Sequence, residues 1–186
     1  MIIKYQTNMK TTKIGKVLIA LDYDETDAAF LPVGTVHAMG GDIVAFEVQQ
    51  NSDVTFRLYD WNHIDAKTGK PPTLQIDQAM AWVNFTQGEK APVIPVLEEQ
   101  KTVLRERLFQ CKFFRLWRLS GKLSFTVGEK EIPRVLVCID GEGKLEYNNT
   151  SYTIPKGDVW LLPAIVGSCM FCPNATVSLL EIALPE

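Results

Sequence analysis

From Thr102 onward the chain is a run of short apolar/polar alternations, each cut off by turn-forming residues, and that pattern predicts antiparallel β-structure. The alternating runs are 109–119, 123–127, 134–139, 144–147, 151–154, 159–162, 168–171 and 177–183. Between them stand Gly121, Gly141-Glu142-Gly143, Asn148-Asn149, Pro155-Lys156-Gly157-Asp158 and Pro173-Asn174. Glycine reaches positive φ without steric cost, and Asn and Asp side chains bond their own backbone, so these are reversals. Successive side chains on a strand point to opposite faces, so each run offers one face to a core. Many short strands at this spacing predict a barrel or a sandwich.

The upstream part is organised around residues 30–61. Val44, Phe46 and Val48 share one face of a strand pattern, and Ile43, Ala45, Glu47 and Gln49 share the other. In the next run Val54, Phe56 and Leu58 oppose Thr55, Arg57 and Tyr59. The turn-forming Gln50-Asn51-Ser52-Asp53 joins them, so pairing would put Glu47, Gln49, Thr55 and Arg57 on one surface. Pro32-Val33-Gly34-Thr35-Val36-His37 reads as a turn delivering a histidine into a strand, and Gly40-Gly41 reverses the chain again. His37 is one of two histidines in the sequence. By spacing alone the plain reading is a satisfied core or surface histidine, with Glu47 and Arg57 as a cross-strand ion pair of little energetic weight.

Around this stretch the chain is simpler. Residues 1–15 read as a polar arm or an edge strand, 16–21 as a strand by β-branched content, and 22–27 as an acidic loop without the glycine and distal glutamate of a loop-type calcium site. Residues 61–72 form a surface connection that carries the second histidine, His63. Ile76, Met80 and Val83 fall at i, i+4 and i+7, which predicts a short amphipathic helix over 77–83. The proline-flanked segment 91–95 then divides the chain into domains 1–95 and 96–186.

Composition removes several classes of function. A net charge of -3 supplies no basic stripe for nucleic acid. No apolar run approaches the ~20 residues of a membrane span, and the N-terminus has no signal-peptide pattern. Cys111, Cys138, Cys169 and Cys172 lack disulfide-framework spacing. Cys169-Met170-Phe171-Cys172 lacks the second pair of a zinc ribbon and sits within a β-rich run, so it reads as structural. On these features the protein is expected to be cytoplasmic.

The Pro-x-Gly-x-x-His turn is similar to a half-motif of the cupins, small double-stranded β-barrels in which that histidine binds a metal. The longer run from Phe30 to about Val93, including Lys70-Pro71-Pro72-Thr73-Leu74-Gln75-Ile76-Asp77-Gln78-Ala79, resembles type I mannose-6-phosphate isomerases. Residues 141–164 also resemble a cupin. The resemblance implies a mainly all-β chain of tandem cupin-like antiparallel β-barrels (jelly roll), the first incomplete, with one short helix between them. It implies interconversion of mannose 6-phosphate and fructose 6-phosphate by Zn2+-assisted proton transfer. His37 would be the metal ligand, Glu47 and Arg57 the catalytic pair, and Gln49 and Thr55 the substrate-binding residues.

In the second copy, Ser168 stands five residues after Pro163, where the first has His37 after Pro32, so that barrel is expected to be metal-free. The family's other metal ligands precede the histidine turn, and the residues before His37 contain no histidine. The chain is therefore expected to be a C-terminal part or a short form of the isomerase. A non-catalytic cupin that binds a sugar phosphate or a partner is the alternative, and a cupin dioxygenase is a third reading that needs the same missing histidines. The expected partner is a sugar phosphate, with exposed strand edges favouring a homo-oligomer.

Overall fold

The computed structural model of the protein describes residues 27–38, 44–49, 54–86 and 91–185. The chain divides into two compact units, Met1–Pro92 and Val93–Glu186. The strand expected at 16–21 and the turns at Gly40-Gly41 and 50–53 lie outside the described residues.

The second unit contains, in chain order, β1 (Val96–Glu99), β2 (Leu104–Gln110), β3 (Arg115–Gly121), β4 (Phe125–Val127), β5 (Arg134–Asp140), β6 (Glu142–Tyr147), β7 (Thr150–Pro155), β8 (Val159–Leu162), β9 (Cys169–Pro173) and β10 (Val177–Ala183). A larger sheet runs β1-β2-β3-β10-β5-β8 and a smaller one β4-β9-β6-β7. Every neighbouring pair is antiparallel. Both sheets send alternate side chains into one core. Leu119, Leu136 and Leu179 come from the larger sheet, and Phe125, Leu145, Ile154 and Phe171 from the smaller.

Local chemistry fixes several of the joints. Asn148 and Asn149 have φ of 48° and 60° between Tyr147 and its partner Thr150, a two-residue hairpin turn whose twist suits the flanking strands. The rings of Phe125 and Phe171 lie 5.4 Å apart. A Cβ on Gly143 would stand 2.5 Å from Cζ of Phe171, so glycine leaves the room that ring occupies.

Three expectations need correction. The single strand expected over 109–119 is a hairpin, β2 and β3, because the Cys111 amide donates to the Phe114 carbonyl at 3.1 Å and turns the chain. The expected hairpin of the first unit is absent from the described residues: 44–49 and 54–59 carry no strand. Two such runs without a third strand are marginal in water, and Val44 and Val54 are 94% and 65% exposed. The helix, α1 (Ile76–Trp82), forms one residue early and buries Ala79, while Ile76 and Met80 on the expected inner face stay about half exposed.

Cys169 and Cys172 are three residues apart on β9 and so point to opposite faces, which bars them from acting as a dithiol pair. Burial pushes the Cys138 and Cys169 thiols up from the ordinary cysteine value. Brief alkylation at neutral pH followed by mass spectrometry should label Cys111 and Cys172 first. Labelling of Cys138 or Cys169 at the same rate would contradict the packing. Phe171→Ala should cost about 3–5 kcal/mol in urea denaturation, the usual cost of an emptied aromatic site.

Candidate functional site

The first unit presents its candidate residues on a loop framework. Thr35 donates both its amide, at 3.1 Å, and its hydroxyl, at 2.7 Å, to the Pro32 carbonyl, and Gly34 between them has φ +83°. This is the turn type that calls for glycine at its third position. The turn is seated on the end of α1, where the Asn84 amide donates to the Gly34 carbonyl at 3.0 Å. A Cβ on Gly34 would stand 2.6 Å from the Trp82 carbonyl oxygen.

His37 follows two residues later, exposed, with Nδ1 3.0 Å from the Thr35 carbonyl. A carbonyl only accepts, so the contact as a hydrogen bond puts a proton on Nδ1, and in the neutral ring Nε2 then carries the lone pair. This is the orienting contact that metal-binding histidines commonly make. Among the described residues, however, no group of three His, Cys, Asp or Glu side chains is placed to hold a metal ion. His37 fits as one ligand, and the described residues do not complete a set.

The alternation expected from sequence appears in the burial only over 46–49 and 55–58, without the strand. Glu47, Gln49, Thr55 and Arg57 are exposed, while Phe46, Val48, Phe56 and Leu58 are half-buried. No hydrogen bond or ion pair joins His37, Glu47, Gln49, Thr55 and Arg57 to one another. The plain Glu47–Arg57 ion pair does not form: Nη1 of Arg57 instead faces Asp60 at 3.9 Å.

Arg57 is held by Gln75, a residue sequence reasoning did not single out. The Arg57 amide donates to Oε1 of Gln75 at 3.0 Å, and the Gln75 amide donates to the Arg57 carbonyl at 2.9 Å. Beyond it, Tyr59 and Trp61 pack ring to ring at 5.5 Å. Asp65 accepts from the amides of Lys67 and Thr68 at 2.9 and 2.8 Å. The Thr68 amide, helped by the Thr68 hydroxyl and the Lys67 amide, holds the Asp65 carboxyl below the usual carboxylate range. His63 is exposed in this loop.

The second unit has a turn of the same kind. The Asp158 amide donates to the Pro155 carbonyl at 3.2 Å and Gly157 has φ +94°. The comparison anchored on Pro163 is therefore better made at Pro155. Two residues after the turn, where the first unit has His37, stands Trp160, whose indole N–H donates to Asp158 at 3.3 Å.

A polar cluster that sequence reasoning missed lies inside this unit. Glu181 is 0% exposed on the inward face of β10, the face of Val177, Leu179 and Ala183. Its Oε1 accepts the Gly128 amide at 2.7 Å and lies 3.5 Å from Nε of Arg134, and its Oε2 accepts from Arg105. Arg134 is 3% exposed and also pairs with Glu129. Burial outweighs these carboxylates and holds the Arg134 guanidinium below its ordinary value. The alternation of 177–183 was the available signal, since it places Glu181 on the apolar face.

A mainly β chain whose second unit packs two antiparallel sheets around one core has the architecture of a cupin. Residues 106–172 match the family described as mannose-6-phosphate isomerase, cupin domain. Over that segment the chain matches the mannose-6-phosphate isomerase family, and its similarity to curated members extends further. It is 35% identical over 152 residues to the mannose-6-phosphate isomerase ManA of Bacillus subtilis, covering 76% of this chain and 44% of that protein. It is 30% identical over 148 residues to the mannose-6-phosphate isomerase of Streptococcus mutans, covering 78% and 45%. The crystal structure of the mannose 6-phosphate isomerase from Bacillus subtilis superposes with a TM-score of 0.63 at 23% identity, covering 72% of this chain and 41% of that one, a likeness of fold. The chain thus spans about half the length of the curated relatives it matches.

Gly34→Ala should lower the thermal stability of the first unit by about 1–3 kcal/mol, since alanine at positive φ is strained and its methyl would press on the helix end. The His37 ring resonances should shift in the same variant. Unchanged melting and unchanged imidazole shifts would refute the seating of this turn on α1.

Proposed function

We propose that this chain is a mannose-6-phosphate isomerase-like protein that interconverts mannose 6-phosphate and fructose 6-phosphate, with domain 1–95 as a partial first barrel carrying the site. One observation carries the reading: His37 stands just after a glycine turn with its Nδ1 at a backbone carbonyl, and further along the sequence Glu47, Gln49, Thr55 and Arg57 are kept at the surface. Isomerisation takes a proton from C2 of the aldose, passes through an enediolate, and returns a proton to C1. Glu47 moves that proton, and the Arg57 guanidinium faces the negative charge that develops on the enediolate oxygens. Gln49 and Thr55 bond sugar hydroxyls and fix which carbon meets Glu47.

Zn2+ is the ion expected in this family; His37 would be one of its ligands, and the ion would polarise the sugar's carbonyl oxygen, although the described residues do not complete a set of ligands. No helix among the described residues is long and apolar enough to cross a membrane, and a phosphorylated hexose is a cytoplasmic metabolite. Strands β1 and β8 end the larger sheet, and edge pairing there is the route by which two copies would associate.

The test is a coupled assay on fructose 6-phosphate with and without added zinc, together with metal analysis of the purified protein. Turnover should fall by roughly 10²-fold or more in Glu47→Gln and in Arg57→Ala, as expected when a proton-transfer or charge-stabilising group is lost. Bound zinc should fall in His37→Ala. No turnover and no bound metal in the native chain would sink the proposal and leave a non-catalytic cupin.

A further inference from the structure

The larger sheet of the second unit ends, on its inward face, in a row that carries two arginines. Across three neighbouring strands the register pairs Arg115 of β3 with Ala183 of β10, and Ala183 with Arg134 of β5. Two arginines therefore flank a residue whose side chain is a single methyl. In the adjoining row Trp117 pairs with Glu181. The guanidiniums of Arg105, Arg115 and Arg134 lie 5.4, 5.4 and 5.2 Å from the centre of the Trp117 ring, so three cations gather on one aromatic side chain.

Like charges gathered at a partly buried site raise one another's energy unless anions answer them. Glu181 answers Arg105 and Arg134 from the core side, and Glu129 answers Arg134 from the solvent side with its own side chain half exposed. The account is still incomplete at Arg134. Its Nη1 is buried and has no hydrogen-bond partner among the described residues, although a buried N–H left unmade is costly. Arg105 and Arg115 are half-buried as whole residues, and Nε and Nη2 of Arg115, like Nη1 of Arg134, are buried.

We propose that this end of the second unit is a binding site for a phosphate group, seated over Ala183 between Arg115 and Arg134, with Arg105 beside it. A planar guanidinium pairs two N–H groups with two phosphate oxygens. Several guanidiniums gathered around one indole, two of them on the strands flanking a small residue, suit a tetrahedral dianion better than a single carboxylate. Trp117 provides the flat face that keeps the arginine planes in place. Glu129 is the competitor: its carboxylate pairs with Arg134 until the anion arrives. All these residues belong to the second unit, so the site stands or falls independently of His37, Glu47 and Arg57.

The test is calorimetric titration of the full chain with inorganic phosphate, methyl phosphate and acetate at matched ionic strength. One saturable phosphate site is expected, with acetate binding weakly or not at all. Arg115→Gln should weaken phosphate about tenfold or more, the cost of one charge-assisted contact. Glu129→Gln should strengthen it. Ala183→Leu, which keeps every charge and fills the gap with an apolar group, should abolish it while the circular dichroism spectrum stays native. Equal binding of phosphate and methyl phosphate assigns the occupant as a phosphate monoester or free phosphate alike; preference for one names the source. No saturable binding, acetate binding as tight as phosphate, or full binding retained in both Arg115→Gln and Ala183→Leu would overturn the proposal.

Discussion

The second unit depends on how a single carboxylate, Glu181, is satisfied inside an apolar core. It lies on β10, the strand that joins β3 to β5 near the centre of the larger sheet, and it is wholly buried. An isolated buried carboxylate would cost far more than one side chain's burial returns. Here an amide from the β4 end, at Gly128, and two guanidiniums from β2 and β5 converge on its two oxygens. The ion cluster therefore ties together strands from both sheets. Such a cluster is poor evidence for extra stability, since an apolar replacement of equal volume is often as stable. What it does provide is geometry, because the strands can meet these donors in only one register.

Much of this architecture was legible in the residues. The ranges expected for β8 and β10 agree with the structure, and so does the reversal at Asn148-Asn149, because each rests on a local rule: period-two alternation, or residues that tolerate positive φ. The hairpin between β2 and β3 escaped because its turn, Cys111-Lys112-Phe113-Phe114, holds none of the usual punctuating residues and is closed by one backbone contact. Strand β1 escaped because all four of its residues are exposed and two are glutamates, so it has no alternation to read.

The first unit shows the other side of that rule. Burial alternates as the sequence pattern predicts only over 46–49 and 55–58; Val44 and Val54, on the face expected to be inward, are 94% and 65% exposed, and no strand forms among the described residues there. Side-chain pattern sets facing, whereas a strand also needs a neighbour to bond. The contacts that hold the candidate residues were not legible. Gln75 reaches Arg57 across eighteen positions of sequence, and nothing local announces that contact.

The seating of the Pro32–Thr35 turn carries a consequence for how this protein can vary. Backbone atoms of Gly34 and Asn84 are bonded to each other, and there is no space for a methyl group between the turn and the carbonyl of Trp82. The imidazole two residues further on thus takes its position from the last turn of a helix nearly fifty residues away in sequence. A substitution that lengthens or unwinds that helix end would re-aim the imidazole without touching it, so drift in the helix and drift in the chemistry are mechanically geared to one another.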